Sequence, residues 1–366
     1  MVFRHSNEQK VADSLRSNSR WFVGPRVDTF FVLGLGAVLS AVFFATTHHK
    51  GAFLVAAIAF AVLSDYPHVF ATSARVWLDP RERGRYGRRY LTSLGIIALV
   101  LTSLMFTGFT IVVVTVWAYW QVFHVIKQHI GIVNIYASKG GYKSSRKLVK
   151  YALFGGCLAP VVYRMAHGLR FSQYEVFGYR LPFSNLSVPT PPVPFVVVAG
   201  GFVVAGVLIG LLIVEQARLR RSGVASLPAM SWATFGIAVL SYSLSYLLVS
   251  DLFALILIAT TTHSLQYHLI NWKRNNARFE FSREVREQKL VLARLSSRRA
   301  LPLYVLCFAI IGIIAGKLDT FLLGVVPLTF VFHHFYMDGA MWKSKANPEL
   351  AYELGIVPAR RSGANA

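Results

Sequence analysis

Ten runs of predominantly apolar residues, each near the length that crosses a bilayer, constrain this chain more than any other feature. About 20 residues at 1.5 Å per residue span ~30 Å of hydrocarbon. The runs cover approximately 28–46, 51–76, 91–108, 110–138, 147–163, 193–215, 231–249, 251–272, 301–316 and 319–342. The ninth is short, whereas the second, fourth, eighth and tenth are long enough to tilt or to project past the membrane. The expected fold is therefore all-α: a polytopic integral membrane protein of about ten transmembrane helices.

The charges orient these helices. The chain is 55% hydrophobic and 15% charged, which excludes a water-soluble globular enzyme. Its 38 Lys and Arg against 16 Asp and Glu give a formal charge of +22, a surplus that in a soluble chain would suggest nucleic acid. Position decides otherwise. The N-terminus, residues 75–90, 139–150, 216–230, 273–300 and the C-terminus together hold 32 of the 38 basic residues. The alternate connections hold five, Lys50, Arg164, Arg170, Arg180 and Lys317. Basic residues are retained on the cytoplasmic side, so ten spans with both termini cytoplasmic account for every one except Lys127. Nucleic acid is not an expected partner, and the expected location is the inner, cytoplasmic membrane of a bacterium.

Residues 1–27 are expected to be a basic cytoplasmic segment without a removable signal peptide, and 343–366 a cytoplasmic tail. Within the transmembrane domain, 28–342, Phe281, Val285, Leu292 and Leu295 recur at helical spacing among charges. This predicts an amphipathic surface helix near 282–296. Residues 164–192 carry four prolines and five aromatics, including Phe171 and Tyr179, and are expected to form a long loop or to rest on the bilayer. Cys157 and Cys307 both fall inside predicted spans, leaving neither a disulfide framework nor a thiolate metal site.

Seven of the eleven histidines are intramembrane: His68 on the second span, His124 and His129 on the fourth, His263 and His268 on the eighth, His333 and His334 on the tenth. All four spans run in the same direction, so sequence position reports depth. His68, His263 and His333 each precede a tryptophan, Trp77, Trp272 and Trp342, by nine residues. With the tryptophans in the interfacial belt, these imidazoles lie ~13 Å deeper, near the midplane. His124 and His129 bracket that layer, and Asp65, Asp338 and Lys127 fall in it. Ionisable groups at this depth are costly unless paired. Asp65 and His68 are three apart and His334 and Asp338 four apart, so each pair shares a helix face, as a metal site with supporting carboxylates requires.

His68, His124, His263 and His333 are the first-choice ligands. His129, His268, His334, Asp65 and Asp338 are further ligands or supports. The five-residue separations of His124 from His129 and of His263 from His268 turn through ~140° on a regular helix. Both rings of a pair therefore reach one ion only across a π-bulge, or else two ions lie between. An all-nitrogen and oxygen donor set suits iron, zinc, copper or manganese, in one site or two. Burial near mid-membrane favours an apolar substrate and a small co-substrate such as O2. Lys127 and Tyr267 are candidate catalytic groups, Lys127 being placed to neutralise an oxyanion or a lipid headgroup, or to snorkel. Tyr66, Trp117, Trp120 and Tyr336 either line a lipid or isoprenoid pocket or simply pack.

The segments YPHVFA around His68, FHVIKQH around His124 and THSLQYH around His263 resemble motifs of the bacterioopsin-related family of membrane β-carotene dioxygenases. The histidine spacings and the adjacent His333 and His334 look more loosely like the boxes of membrane fatty-acid desaturases and hydroxylases. Together these resemblances, which touch about 20 residues, imply iron (Fe2+, mononuclear or dinuclear) and O2 acting on an apolar chain, with an electron donor unidentified. The expected function is a membrane oxygenase acting on a lipid or isoprenoid. The rival readings are a transporter or channel with a His/Asp proton or ion relay, and a haem-binding electron-transfer protein.

Overall fold

The structure, a computed structural model, describes residues 21–173, 175–176, 179–180, 185–280, 291–296, 300, 302–304, 306–307, 309–311, 313–314, 324–343 and 347–356. These are nearly all helical. In chain order the helices are α1 (Pro25–Thr46), α2 (Lys50–Leu78), α3 (Pro80–Phe106), α4 (Thr110–Lys139), α5 (Arg146–Ala166), α6 (Phe195–Arg221), α7 (Ala229–Leu248), α8 (Leu252–Glu280), α9 (Val291–Leu295), α10 (Val325–Met341) and α11 (Pro348–Glu353). Six of them, α1, α2, α3, α4, α6 and α7, are long and apolar enough to cross a membrane. Most of the expected surface helix, the ninth span in part, and residues 1–20 and 357–366 lie outside the described residues.

α8 is the axis of the bundle. It is 29 residues long yet less apolar than the six, because its middle carries Thr260, Thr261, Thr262, His263, Ser264, Gln266 and Tyr267, all buried. A helix buried on every side faces other helices and not lipid, and there polar groups find partners. α1 packs on it closely: a Cβ at Gly36 would lie 2.6 Å from Thr262 Oγ1, so only glycine fits. Ser40 Oγ donates to the Ile258 carbonyl at 3.2 Å, and Gln266 Nε2 to the Val32 carbonyl at 2.9 Å. Val32 lies in a π-helical stretch, Thr29–Gly34, where the wider turn frees carbonyls for such contacts. The outer faces are apolar and open, with Phe195 83% and Leu99 69% exposed, as contact with membrane lipid requires.

Of the expected loop at 164–192, residues 169–171 and 186–188 pack back on the bundle. Two short antiparallel pairs form, β1 (Leu169–Arg170) with β4 (Ser187–Val188) and β2 (Glu175–Val176) with β3 (Tyr179–Arg180). Leu169, Phe171 and Val188 are buried, and Phe171 stacks on Trp117 of α4. Arg164, one of the five basic residues on the sparse side, donates to the carbonyls of Tyr246 and Leu247 at the end of α7.

At the opposite, basic end, Pro348–Glu353 within the expected C-terminal tail form a helix, α11, that docks on the bundle. α11 buries Leu350 and Glu353, and Glu353 joins a network of buried charges. Glu82 lies 3.0 Å from both Arg75 and Arg274. Arg274 also reaches Glu353 at 2.9 Å and Asp79 at 3.5 Å, and Asp79 meets Arg278 at 3.4 Å. Arg81 pairs with Glu353 and Glu349. These charges tie the α2–α3 corner, α8 and α11 together. The residues before α1 are held similarly: the buried carboxylate of Asp28 accepts from the amides of Phe22, Val23 and Gly24 and from the Tyr136 hydroxyl.

Removing one member of a buried pair leaves the other uncompensated. Glu82→Gln is expected to cost about 3–5 kcal/mol. Glu349→Gln, at a half-exposed site, should cost under ~1 kcal/mol. Unfolding curves of the two variants in detergent check the difference.

Candidate metal centre

The site begins with a proline inside a helix. Pro67 of α2 has no amide hydrogen and its ring crowds the carbonyl four residues back, and the helix widens into a π-helical stretch, Ala61–Asp65, just before it. Two carbonyls at its end meet imidazoles: that of Ser64 lies 2.9 Å from His268 Nε2 and that of Asp65 2.7 Å from His68 Nδ1. A carbonyl only accepts, so His68 carries its proton on Nδ1, where Asp65 Oδ1 and Ser264 Oγ are also within 3.3 Å. Its Nε2 is buried without a hydrogen-bond partner.

His334 of α10 is held in the same way from another direction. Thr72, one turn beyond His68 on α2, places Oγ1 2.8 Å from His334 Nδ1. Asp338 Oδ1 accepts from Thr72 at 3.1 Å and from the Tyr267 hydroxyl at 2.9 Å. With the Thr72 hydroxyl donating to Asp338, His334 donates from Nδ1 to Thr72 Oγ1 and leaves Nε2 unpartnered in hydrogen bonds, 3.6 Å from Asp338 Oδ2. His124 Nε2 and His263 Nδ1 are likewise buried with no hydrogen-bond partner. Gln128 fixes the backbone beside His263 by donating to its carbonyl at 2.8 Å.

Four helices thus bring four imidazoles together, each with a bare ring nitrogen. Ring centroids of His68 lie 5.1 Å from His263 and 4.7 Å from His334, and those of His124 lie 4.9 Å and 5.0 Å from the same two. Two overlapping triads, His68–His263–His334 and His124–His334–Asp338, each offer three ligand atoms within 4.8 Å of one another. An unpaired buried nitrogen is costly, and a cation held by either triad would be a common remedy. Nδ1 contacts that fix the tautomer are what ligating histidines have.

Other residues singled out in the sequence fall elsewhere. His333 does not join the cluster. One residue turns a helix by ~100°, so while His334 faces inward, His333 faces α3, with Nε2 3.0 Å from Ser93 Oγ and 3.1 Å from the Tyr90 carbonyl. The π-helical stretches lie in α1 and α2, not between the paired histidines of α4 or α8. His129 and His268 accordingly stay out of both triads, His268 on Ser64 and His129 buried with both ring nitrogens unpartnered in hydrogen bonds. Asp65 supports His68 and Tyr267 supports Asp338. Thr72, Ser264 and Gln128 were not singled out; Thr72, four residues after His68, is the one that helix periodicity signals.

A cavity of about 520 Å³ opens from the cluster toward the basic end, between α4, α8 and α10. His124, Asp338 and Tyr267 form its inner wall, and Trp120, Phe123 and Phe335 are among its apolar sides. Lys127 lines it one turn beyond His124. Of the four expected wall aromatics only Trp120 takes part. Trp117 packs on Phe171, Tyr66 against Phe70 and Tyr304, and Tyr336 faces outward with its hydroxyl 3.1 Å from Arg89 Nε.

No family model, curated protein or solved structure matches the chain.

Loss of a group that orients a ligand lowers metal affinity roughly 10–100-fold. Thr72→Val is expected to lower the affinity of the purified protein for Co2+ or Fe2+ by that factor, while Ser93→Ala, beside the outlying His333, leaves it unchanged. Metal titration of both variants checks this.

Proposed function

We propose that this protein is a multi-pass membrane oxygenase that holds iron at the His/Asp cluster and acts with O2 on a lipid or isoprenoid taken from the bilayer. The observation that carries the reading is a two-histidine, one-carboxylate triad, His124–His334–Asp338, two of whose members form the inner wall of an apolar cavity. That ligand set with open positions suits non-haem Fe2+ that activates O2. His68 and His263 complete the four-imidazole layer and make room for a second ion or a fuller coordination shell. Iron, when bound, supplies redox chemistry with O2 that side chains lack.

The chain's own residues supply the rest. Asp65, Ser264 and Thr72 hold ring protons on Nδ1 of His68 and His334, keeping Nε2 available. Tyr267 and Thr72 hold Asp338 by one oxygen, leaving Oδ2 to a ligand. Trp120, Phe123 and Phe335 exclude water and orient an apolar chain beside the cluster. The asymmetry of Lys and Arg supports ten spans with both termini in the cytoplasm and the basic end facing it, in the cytoplasmic membrane of a bacterium.

Elemental analysis of the purified protein tests the reading. Near-stoichiometric iron is expected, lost in His68→Ala, His124→Ala, His263→Ala and His334→Ala and retained in His333→Ala, His48→Ala and His167→Ala. Absence of any transition metal after gentle purification and reconstitution with Fe2+ overturns it. Oxygen uptake on added lipid extract, with and without a reductant, then separates a dioxygenase, which balances without outside electrons, from a hydroxylase, which needs two.

A further inference from the structure

We infer that the ligand of the cavity is an anionic membrane lipid: one apolar chain lies along α4 toward the cluster, past Lys127, and the charged headgroup sits at the basic end by Arg146 and Lys343. The inference rests on the oxygenase reading for what happens to the lipid, and on the cavity alone for the binding.

The shape of the cavity comes from a stripe on α4. Trp120, His124, Lys127, Gly131 and Ser138 recur at three-, four- and seven-residue steps, so they line one face over ~27 Å. Across from them stand Phe335 and Gly339 of α10 and Trp342 just past its end. Two glycines make the gap between the helices. Gly131 and Gly339 are both exposed, and a Cβ built on either meets no atom within 4 Å. Phe123 on the same rim is half exposed. The cavity is therefore open sideways, where membrane lipid surrounds the bundle, and any second acyl chain can stay in the bilayer.

Charge selects among the lipids that would fit. Lys127, Arg146 and Lys343 line the cavity, and among the described residues no carboxylate pairs with any of them. Lys127 Nζ lies over the Phe123 ring at 5.8 Å, and Arg146 donates to Ser138 Oγ and the Tyr142 carbonyl. The one acid in the lining, Asp338, is at the inner wall and already accepts from Thr72 and Tyr267. The cavity thus has its one acid at the inner wall, Lys127 one turn farther out, and Arg146 and Lys343 with no acid at the basic end. A neutral hydrocarbon would leave those cations without a counter-charge in the cavity, whereas an anionic amphiphile complements both the apolar sides and the basic end. Lys127, the one basic residue that topology does not account for, then has a role.

Native mass spectrometry of the full-length protein in detergent tests this, with phosphatidic acid, phosphatidylcholine and diacylglycerol of identical chains as probes and inorganic phosphate as competitor. Phosphatidic acid is expected to bind at least tenfold more tightly than the other two, and phosphate not to displace it. Lys127→Gln combined with Lys343→Gln should abolish that preference while leaving diacylglycerol binding as it was. Gly131→Leu or Gly339→Leu should block every lipid while metal content and melting temperature stay unchanged, two positions being used so that one misfolded variant does not decide the result. Equal binding of the three lipids, a preference that survives loss of both lysines, or displacement by phosphate alone overturns the inference. Metal content and lipid preference are also read on one preparation of the unsubstituted protein after reconstitution with Fe2+. No bound metal with the phosphatidic acid preference intact overturns the oxygenase reading and leaves this one standing, and bound metal without the preference does the reverse.

Discussion

Polar groups inside an apolar bundle persist only where another helix supplies their partner, and this constraint organises the molecule around α8. The helix carries a run of threonine, histidine, serine, glutamine and tyrosine at its middle and is buried there throughout. Exposed to hydrocarbon, that run would leave hydroxyls, an amide and an imidazole unsatisfied. Enclosed by α1, α2, α4 and α10, it becomes the surface on which the other helices register. Gly36 lets α1 approach, Gln266 meets the Val32 carbonyl at the π-helical turn, and Ser264 reaches Asp65 and His68.

The charge network and the imidazole cluster are two layers on the same helices. Arg75 lies two turns beyond His68 on α2, and Arg274 lies on α8 with His263 and Tyr267. The Arg75 guanidinium packs 4.7 Å over the ring of Trp342, one turn beyond Asp338 at the end of α10. Pairing these arginines with Glu82 and Glu353 fixes how far each helix extends toward the basic end. The same register sets which side chains meet one layer deeper. A shift of one turn, ~5.4 Å, in any of these helices would separate nitrogens that now lie within 4.8 Å. Stability and the cluster therefore share a mechanical basis, although no residue of the charge network belongs to either triad.

Depth is what the sequence conveyed well about the cluster. The nine-residue interval from histidine to tryptophan on three spans marks the layer, and His68 and His263 meet in it. Rotation is where the interval misleads: it selects His333, one residue from the His334 that faces inward. Aromatic residues near the layer carried no rotational information either, so Trp120 lines the cavity while Trp117, three residues away on the same helix, packs on a connecting loop. Arg75, Glu82 and Arg274 show a related limit. Their positions in basic connections read as topology; their buried pairing on Glu82 joins α2, α3 and α8, and the second partner of Arg274, Glu353, comes from α11, which the pattern of apolar runs does not reveal.

Composition and periodicity by themselves determined an all-helical membrane protein with an ionisable layer, because hydrocarbon imposes one length and one backbone solution on any segment that crosses it. Which histidines share a centre, which of their nitrogens stay bare, and where a cavity opens beside them were decided by helix rotation and packing. Those depend on the π-helical turn before Pro67, the close approach at Gly36 and the buried ion pairs, and each of these joins residues far apart in the chain. A one-dimensional pattern records how deep a side chain lies, but its direction is fixed by the neighbours it must pair with.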